Sequence, residues 1–217
     1  MPIKPIAPFL WLKSEAEQAA KFYVSLFPKS KIVKITRYGD AGPGPKGEVM
    51  VVDFKLNGQT FIALNGNTYH PMSPSVSLFV TCKTQAEVNT LWKKILKKGG
   101  RTLACGWITD PYGITFQIVP DGIMELIAKP AGMTAMMHQI KLDINEIRRK
   151  VQAADQAEKA AKKAAAKPAK KTPGAGVSKT KLKSVSSGPY ADGCPAGHLA
   201  SSRTTLESRR TTKPIGA

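Results

Sequence analysis

Few residues of this chain are spaced for covalent or metal chemistry. The three histidines stand apart: His70 in a Tyr69-His70-Pro71 loop, His138 in a late helical stretch, and His198 near the C-terminal end. A metal or acid–base centre needs such side chains on facing elements, so surface histidines are expected. Cys82, Cys105 and Cys194 form neither a Cys-x-x-Cys pair nor an even disulfide framework. Cys105 precedes Gly106-Trp107, yet no His, Lys or helix N-terminus that would activate it is visible nearby, and a passive thiol is expected. Gly42-Pro43-Gly44-Pro45-Lys46-Gly47 spells G-x-G-x-x-G. A phosphate or methyl-donor site needs that turn between a strand and a helix. Here the following segment reads as a strand and two prolines remove N–H donors, which predicts a long hairpin loop. Asp110, heading Asp110-Pro111-Tyr112-Gly113, reads as the cap of its own turn. No Ser/His/Asp set and no carboxylate pair at useful spacing is present.

The elements that must position these residues are clearer. Ile6–Leu12 is a short apolar run and predicts a buried strand. Ser14-Glu15-Ala16-Glu17 has the form of a capping box, followed at helical spacing by Ala19, Ala20, Phe22, Tyr23, Leu26 and Phe27, with Pro28 as the stop. Lys31–Tyr38 and Val49–Leu56 alternate as strands, Asn57-Gly58 is a hairpin turn, and Thr60–Asn65 returns. The pattern then recurs 70 residues on. Val76–Cys82 matches Ile6–Leu12, and Thr84-Gln85-Ala86-Glu87 is a second capping box. Phe79, Trp92 and Leu96 answer Phe9, Phe22 and Leu26. Gly99-Gly100 stops the helix, and Arg101–Leu103, Gly106–Ile108 and Thr115–Val119 are short strands. Such duplication means two like modules sharing one core. After Pro120 the pattern turns helical over Asp121–Lys129 and Met133–Val151.

Charge marks a second boundary. Residues 1–150 hold 20 Lys/Arg against 11 Asp/Glu, while residues 151–217 hold 13 against 4, the same net +9 in under half the length. The organisation expected is a folded domain over 1–152 and an Ala/Lys-rich basic tail over 153–217. From Pro168 onward almost no large apolar group is available to offset the entropy of ordering, so disorder is expected. Lys162, Lys163, Lys170 and Lys171 would contact nucleic acid if the tail has such a partner, through phosphate charge and without sequence preference. No run of about 18 apolar residues predicts a membrane span, and the N-terminus has no apolar leader, so a cytoplasmic location is expected.

Several strings carry a specific resemblance. Pro8-Phe9-Leu10-Trp11-Leu12, Phe22-Tyr23-Val24-Ser25-Leu26-Phe27-Pro28, Tyr38-Gly39-Asp40-Ala41-Gly42-Pro43-Gly44, Ala63-Leu64-Asn65-Gly66, Cys105-Gly106-Trp107, and Asp110-Pro111-Tyr112-Gly113 with Gln117-Ile118-Val119-Pro120 resemble the PhnB-like branch of the glyoxalase/bleomycin-resistance (vicinal oxygen chelate) superfamily. This branch often carries the domain label 3-demethylubiquinone-9 3-methyltransferase. The resemblance covers roughly residues 3–150. It implies an α+β fold of paired β-α-β-β-β modules forming a cleft, commonly a homodimer, and in many members a divalent metal held by His and Glu from the first and last strands of each module.

By that resemblance the metal-ligand places fall at Ala7 or Pro8, near Asn65, at Ser77 or Leu78, and at Gln117. None is His, Asp or Glu, and neutral amides bind hard cations weakly. A divalent metal is compatible with the fold, but these places are neutral and no cofactor is expected. The cleft is expected to hold a small organic ligand, with Phe9, Trp11 and Trp107 as an aromatic wall and Asn65 and Gln117 as its polar groups. Either a metal-independent step or sequestration would follow. In the alternative reading the folded part is a dimerisation scaffold and the tail holds DNA or RNA. True methyl transfer would need a methyl-donor site, and no such site is visible.

Overall fold

The computed structural model describes residues 5–166. The first module runs β1 (Phe9–Leu12), α1 (Ala16–Leu26), β2 (Lys31–Arg37), β3 (Val49–Leu56) and β4 (Gln59–Asn65). The second runs β5 (Ser77–Cys82), α2 (Gln85–Lys97), β6 (Arg101–Thr102), β7 (Trp107–Thr109) and β8 (Thr115–Pro120). Each module closes its own sheet, in the orders β1-β4-β3-β2 and β5-β8-β7-β6. In both, the first strand lies parallel to the last. The expected α+β class of paired β-α-β-β-β modules is what forms.

Each sheet buries one face against its helix, because alternation sends every second side chain inward. In the first module Leu10, Leu12, Val52, Phe54 and Ala63 pack on Ala19, Ala20, Tyr23 and Leu26. In the second, Ile108, Phe116 and Ile118 share the core with Val88, Leu91 and Ile95. The two cores are one. The ring of Tyr23 stacks on Phe54 at 6.1 Å and meets Phe116 of the other module at 6.0 Å. Both sheets therefore turn their helix-covered faces to a common interior; the other face of the second sheet is partly covered, since Val119 is buried with Ile123, Leu142 and Ile147 in a second cluster.

The local signals form where no distant group competes. Asn57 and Gly58 take φ of 46° and 88°, as a two-residue hairpin requires. Thr84 and Glu87 complete the second capping box. The Gly42–Gly47 stretch is the hairpin loop expected: strand β3 follows it, and Gly44 lies so close to the Tyr38 ring that a side chain would collide.

Three expectations are corrected. The first capping box does not form. Glu15 stands at the N-cap of α1 without a side-chain cap, and the Ala16 N–H is taken at 2.8 Å by Asn65 Oδ1 from β4. The helical stretch over Met133–Val151 is broken, after the short α3 (Ile123–Ile127), into α4 (Pro130–Met137) and α5 (Ile144–Ala165). The Asp143 carboxylate caps α5 by accepting from the N–H groups of Asn145 and Glu146. Lastly, the domain boundary after residue 152 falls inside α5. Residues 153–165 are helical because Ala and Lys are good helix formers and Ile144, Ile147 and Val151, all buried, anchor the first turns to the body. Lys162 pairs there with Glu158. Lys170, Lys171 and the rest of the expected disordered tail lie outside the described residues. No helix among the described residues is long and apolar enough to cross a membrane.

Candidate functional site

The outward faces of the two sheets carry most of the residues singled out by sequence. On β1, Leu10 and Leu12 are buried, whereas Phe9 is 53% and Trp11 38% exposed. Opposite them in register stand Ile62 and Leu64 of β4, both half-buried. The loop after β4 fixes the indole. Trp11 Nε1 donates to the Thr68 carbonyl at 3.1 Å, the His70 ring meets Trp11 edge-on at 5.0 Å, and Gly66 abuts its flat side.

On the second sheet the register puts Gln117 of β8 directly between Phe79 of β5 and Trp107 of β7. Directly paired side chains share a face, so a half-buried amide lies between two aromatic groups, Phe79 being 57% exposed. Gln117 Nε2 donates to Ser77 Oγ at 2.7 Å. Beside them Thr109 and Thr115 share a hydroxyl–hydroxyl bond of 3.0 Å. Among the described residues no further hydrogen bond is made by the Gln117 side chain, whose carbonyl Oε1 can accept one.

Asn65 does not join either outward face. It is 8% exposed on the core side of β4. Its Oδ1 accepts from Ala16 N, its Nδ2 donates to the Val49 carbonyl at 3.0 Å, and its own carbonyl accepts from the Tyr38 hydroxyl at 2.7 Å. The amide ties the start of α1 to β3 and β4 through one accepted and one donated bond. It borders a cavity of about 610 Å³ lined by Glu17, Lys21, Arg37, Glu48 and Asn67. There the charges answer one another: the hydrogen bond from Lys21, then the Lys21 and Arg37 charges, hold Glu17 below the usual carboxylate range.

The other candidates are structural. Burial and the nearby Glu87 push the Cys82 thiol up to about 11, which keeps it protonated and unreactive. Cys105 is buried with φ of 58°, and its Sγ lies 3.7 Å from Met137 Sδ. Among the described residues no group of three or more His, Cys, Asp or Glu could hold a metal ion. Sequence reasoning overlooked Phe79, although its match to Phe9 at the 70-residue offset was the available signal. It also overlooked the Ser77–Gln117 bond, which joins strands 40 residues apart in sequence.

Residues 4–119 match the family model described as 3-demethylubiquinone-9 3-methyltransferase. Among solved structures, the chain is similar to a PhnB protein from Bacillus cereus, with 36% identity over 54% of this chain and 99% of that one and a TM-score of 0.49. A Staphylococcus aureus protein is 33% identical over 56% and 100% of the two chains, with a TM-score of 0.25. The fosfomycin resistance protein FosX from Listeria monocytogenes is 12% identical over 58% and 98%, with a TM-score of 0.41. No curated protein matches. Helices α3, α4 and α5 lie beyond the matched segment.

Proposed function

The chain belongs to the PhnB-like, 3-demethylubiquinone-9 3-methyltransferase family, and from that footing we propose that it binds a small organic ligand on the outward face of its second sheet. The observation that carries this reading is the Ser77–Gln117 pair held between Phe79 and Trp107. Phe79, which is exposed, and the half-buried Trp107 supply stacking area, and the Gln117 Oε1 orients a donor on the ligand. A second copy of the chain completes the site by laying the face of Phe9 and Trp11 over it. Exposed apolar groups clustered on both outward faces support that arrangement.

The family's metal does not fit this donor set. The corresponding places hold Ala7 or Pro8, Asn65, Ser77 or Leu78, and Gln117, with no carboxylate or imidazole among them. Ser77 and Gln117 are bonded to each other, and the Asn65 amide is spent on backbone. Methyl transfer is likewise no part of this reading, because the Gly42–Gly47 loop leads into strand β3 and its Gly42 and Gly44 pack on Tyr38. What the residues can do is hold and orient a ligand.

The test is a small-molecule screen by thermal shift on the full chain, followed by titration of the best binder. Trp107→Ala and Gln117→Ala each weaken that binder by about tenfold or more, the loss of roughly 1–2 kcal/mol of stacking or hydrogen bonding. Chelator or added Mn, Zn, Mg or Ni shifts the melting temperature by less than about 1 °C, because ligation to the folded state alone would stabilise it. Stoichiometric metal that co-purifies, and whose removal lowers the melting temperature, would overturn the metal-free reading. A complex that sediments as one chain with ligand bound would remove the second copy from the site.

A further inference from the structure

We infer that the C-terminal helices, which lie outside the family-matched segment, position Trp107 for the ligand by plugging the turn that leads into β7. The inference rests on the ligand reading above and adds the residues that hold its aromatic wall in place. Strand β7 is three residues long and its outer neighbour β6 only two, so the local ladder alone holds it weakly. Immediately before it, Cys105 and Gly106 both take left-handed backbone, with φ of 58° and 81°. That conformation is uncommon for a residue with a side chain and persists only where the surroundings enforce it.

The enforcement comes from the segment between α4 and α5. The N–H groups of Cys105 and Gly106 donate, each at 2.8 Å, to the carbonyls of Gln139 and Ile140. Successive N–H groups of a tight turn converge on acceptors in this way, and here two cap carbonyls fill the concavity. Leu142, 1% exposed, lies so close to Gly106 that a β-carbon there would sit 2.9 Å from its side chain. On its other side the Gly106 carbonyl accepts from Ile118 N, next to Gln117, and Trp107 N donates back to Ala104. The cap itself is clamped to α2, since the Gln85 amide donates to the Leu142 carbonyl and accepts from Ile144 N. Gln139, Ile140 and Leu142 are thus positioning residues: they set the turn, and the turn sets where Trp107 enters the sheet beside Gln117.

Three variants of the full chain test this, Gly106→Ala, Leu142→Ala and the two combined. The readouts are the near-UV circular dichroism of Trp107, isolated by difference against Trp107→Phe, and the affinity for the best screen binder. Gly106→Ala pushes the turn off Leu142, reduces the Trp107 signal and weakens binding by about tenfold, a factor that corresponds to 1.4 kcal/mol. Adding Leu142→Ala to Gly106→Ala removes the collision with Leu142 but leaves the contact with the Ile118 carbonyl and the left-handed backbone, so it restores only part of both readouts. A Gly106→Ala protein with the wild-type Trp107 signal and affinity overturns the inference. If Gly106→Ala does not fold, Leu142→Ala alone decides: an unchanged Trp107 signal in it overturns the inference equally. Loss of the Trp107 signal without any effect of Trp107→Ala on binding upholds the positioning and sinks the ligand reading instead.

Discussion

Replacing Asn65 by Ala destabilises the chain by about 3 kcal/mol, read as a fall of roughly 6–12 °C in melting temperature for a folded body of this size. The size of the effect follows from what the amide holds. Ala16 N loses its acceptor and the Val49 carbonyl loses its donor, both at a site 8% exposed, where water cannot substitute fully. An unmet buried polar group costs about 1–3 kcal/mol. Asn65→Asp keeps an acceptor at the start of α1, where negative charge is favoured, but loses the donor to Val49, so it falls between Ala and the wild type. Ligand affinity measured well below the melting temperature is unchanged in either variant. A drop of less than about 2 °C for Asn65→Ala would show that the cap is dispensable, and a selective loss of binding would return Asn65 to the site.

The second large effect concerns Asp110 at the seam of the modules. It is 3% exposed, and its Oδ1 accepts from Tyr112 N at 2.8 Å and Ile114 N at 2.9 Å. Its Oδ2 and the hydroxyl of Tyr23, on the first module's helix, are both buried and neither finds a hydrogen bond. Burial drives the Asp110 carboxyl up from 3.8 to about 6 against the opposing effects of Tyr23 and the turn N–H groups. Tyr23 is raised well above its ordinary value by burial first and the Asp110 charge next, and stays neutral. Because the folded state holds the proton more tightly than the unfolded chain, the stabilisation is complete below about 4 and is lost as the pH rises through about 6. Asp110→Asn keeps the turn acceptor without the charge. At pH 7 it is more stable than the wild type by up to about 3 kcal/mol, and the gap closes as the pH falls toward 4. Asp110→Ala loses both turn bonds and at pH 4, where the wild-type carboxyl is protonated, is less stable than the wild type by about 2 kcal/mol. Thermal melts of the three proteins between pH 4 and 8 check this. Identical pH slopes for Asp110→Asn and wild type would mean that the carboxyl titrates normally.

The seam and the cap bear on the same question, the relative placement of aromatic groups on two separate sheets. Tyr23 and Phe116 join the modules from within, while Gln139 and Ile140 hold the edge of the second sheet from outside. Both restrict how Trp107 and Gln117 are presented.

The amino-acid sequence by itself determined the two modules, their order of strands and helices, the Asn57-Gly58 turn and the Thr84–Glu87 cap. These features rest on neighbours within a few residues, where periodicity and turn chemistry decide the outcome. It also carried more than was read from it. Asn65 shares the parity of Phe61 and Ala63 in β4, both buried, whereas Gln117 alternates with the buried Phe116 and Ile118. That parity puts the first amide on the core side of its strand, and the second on the opposite side from Phe116 and Ile118, where Thr115 and Val119 are also buried. Tertiary structure decided the rest. Ser14 was a competent cap, but Asn65, 49 residues away, took the Ala16 N–H. The helical pattern past Met133 was sound, but the carbonyls of Gln139 and Ile140 were drawn off to Cys105 and Gly106. In each case a donor or acceptor had two available partners, one near in sequence and one near in space. Packing brought the distant partner into place and decided between them.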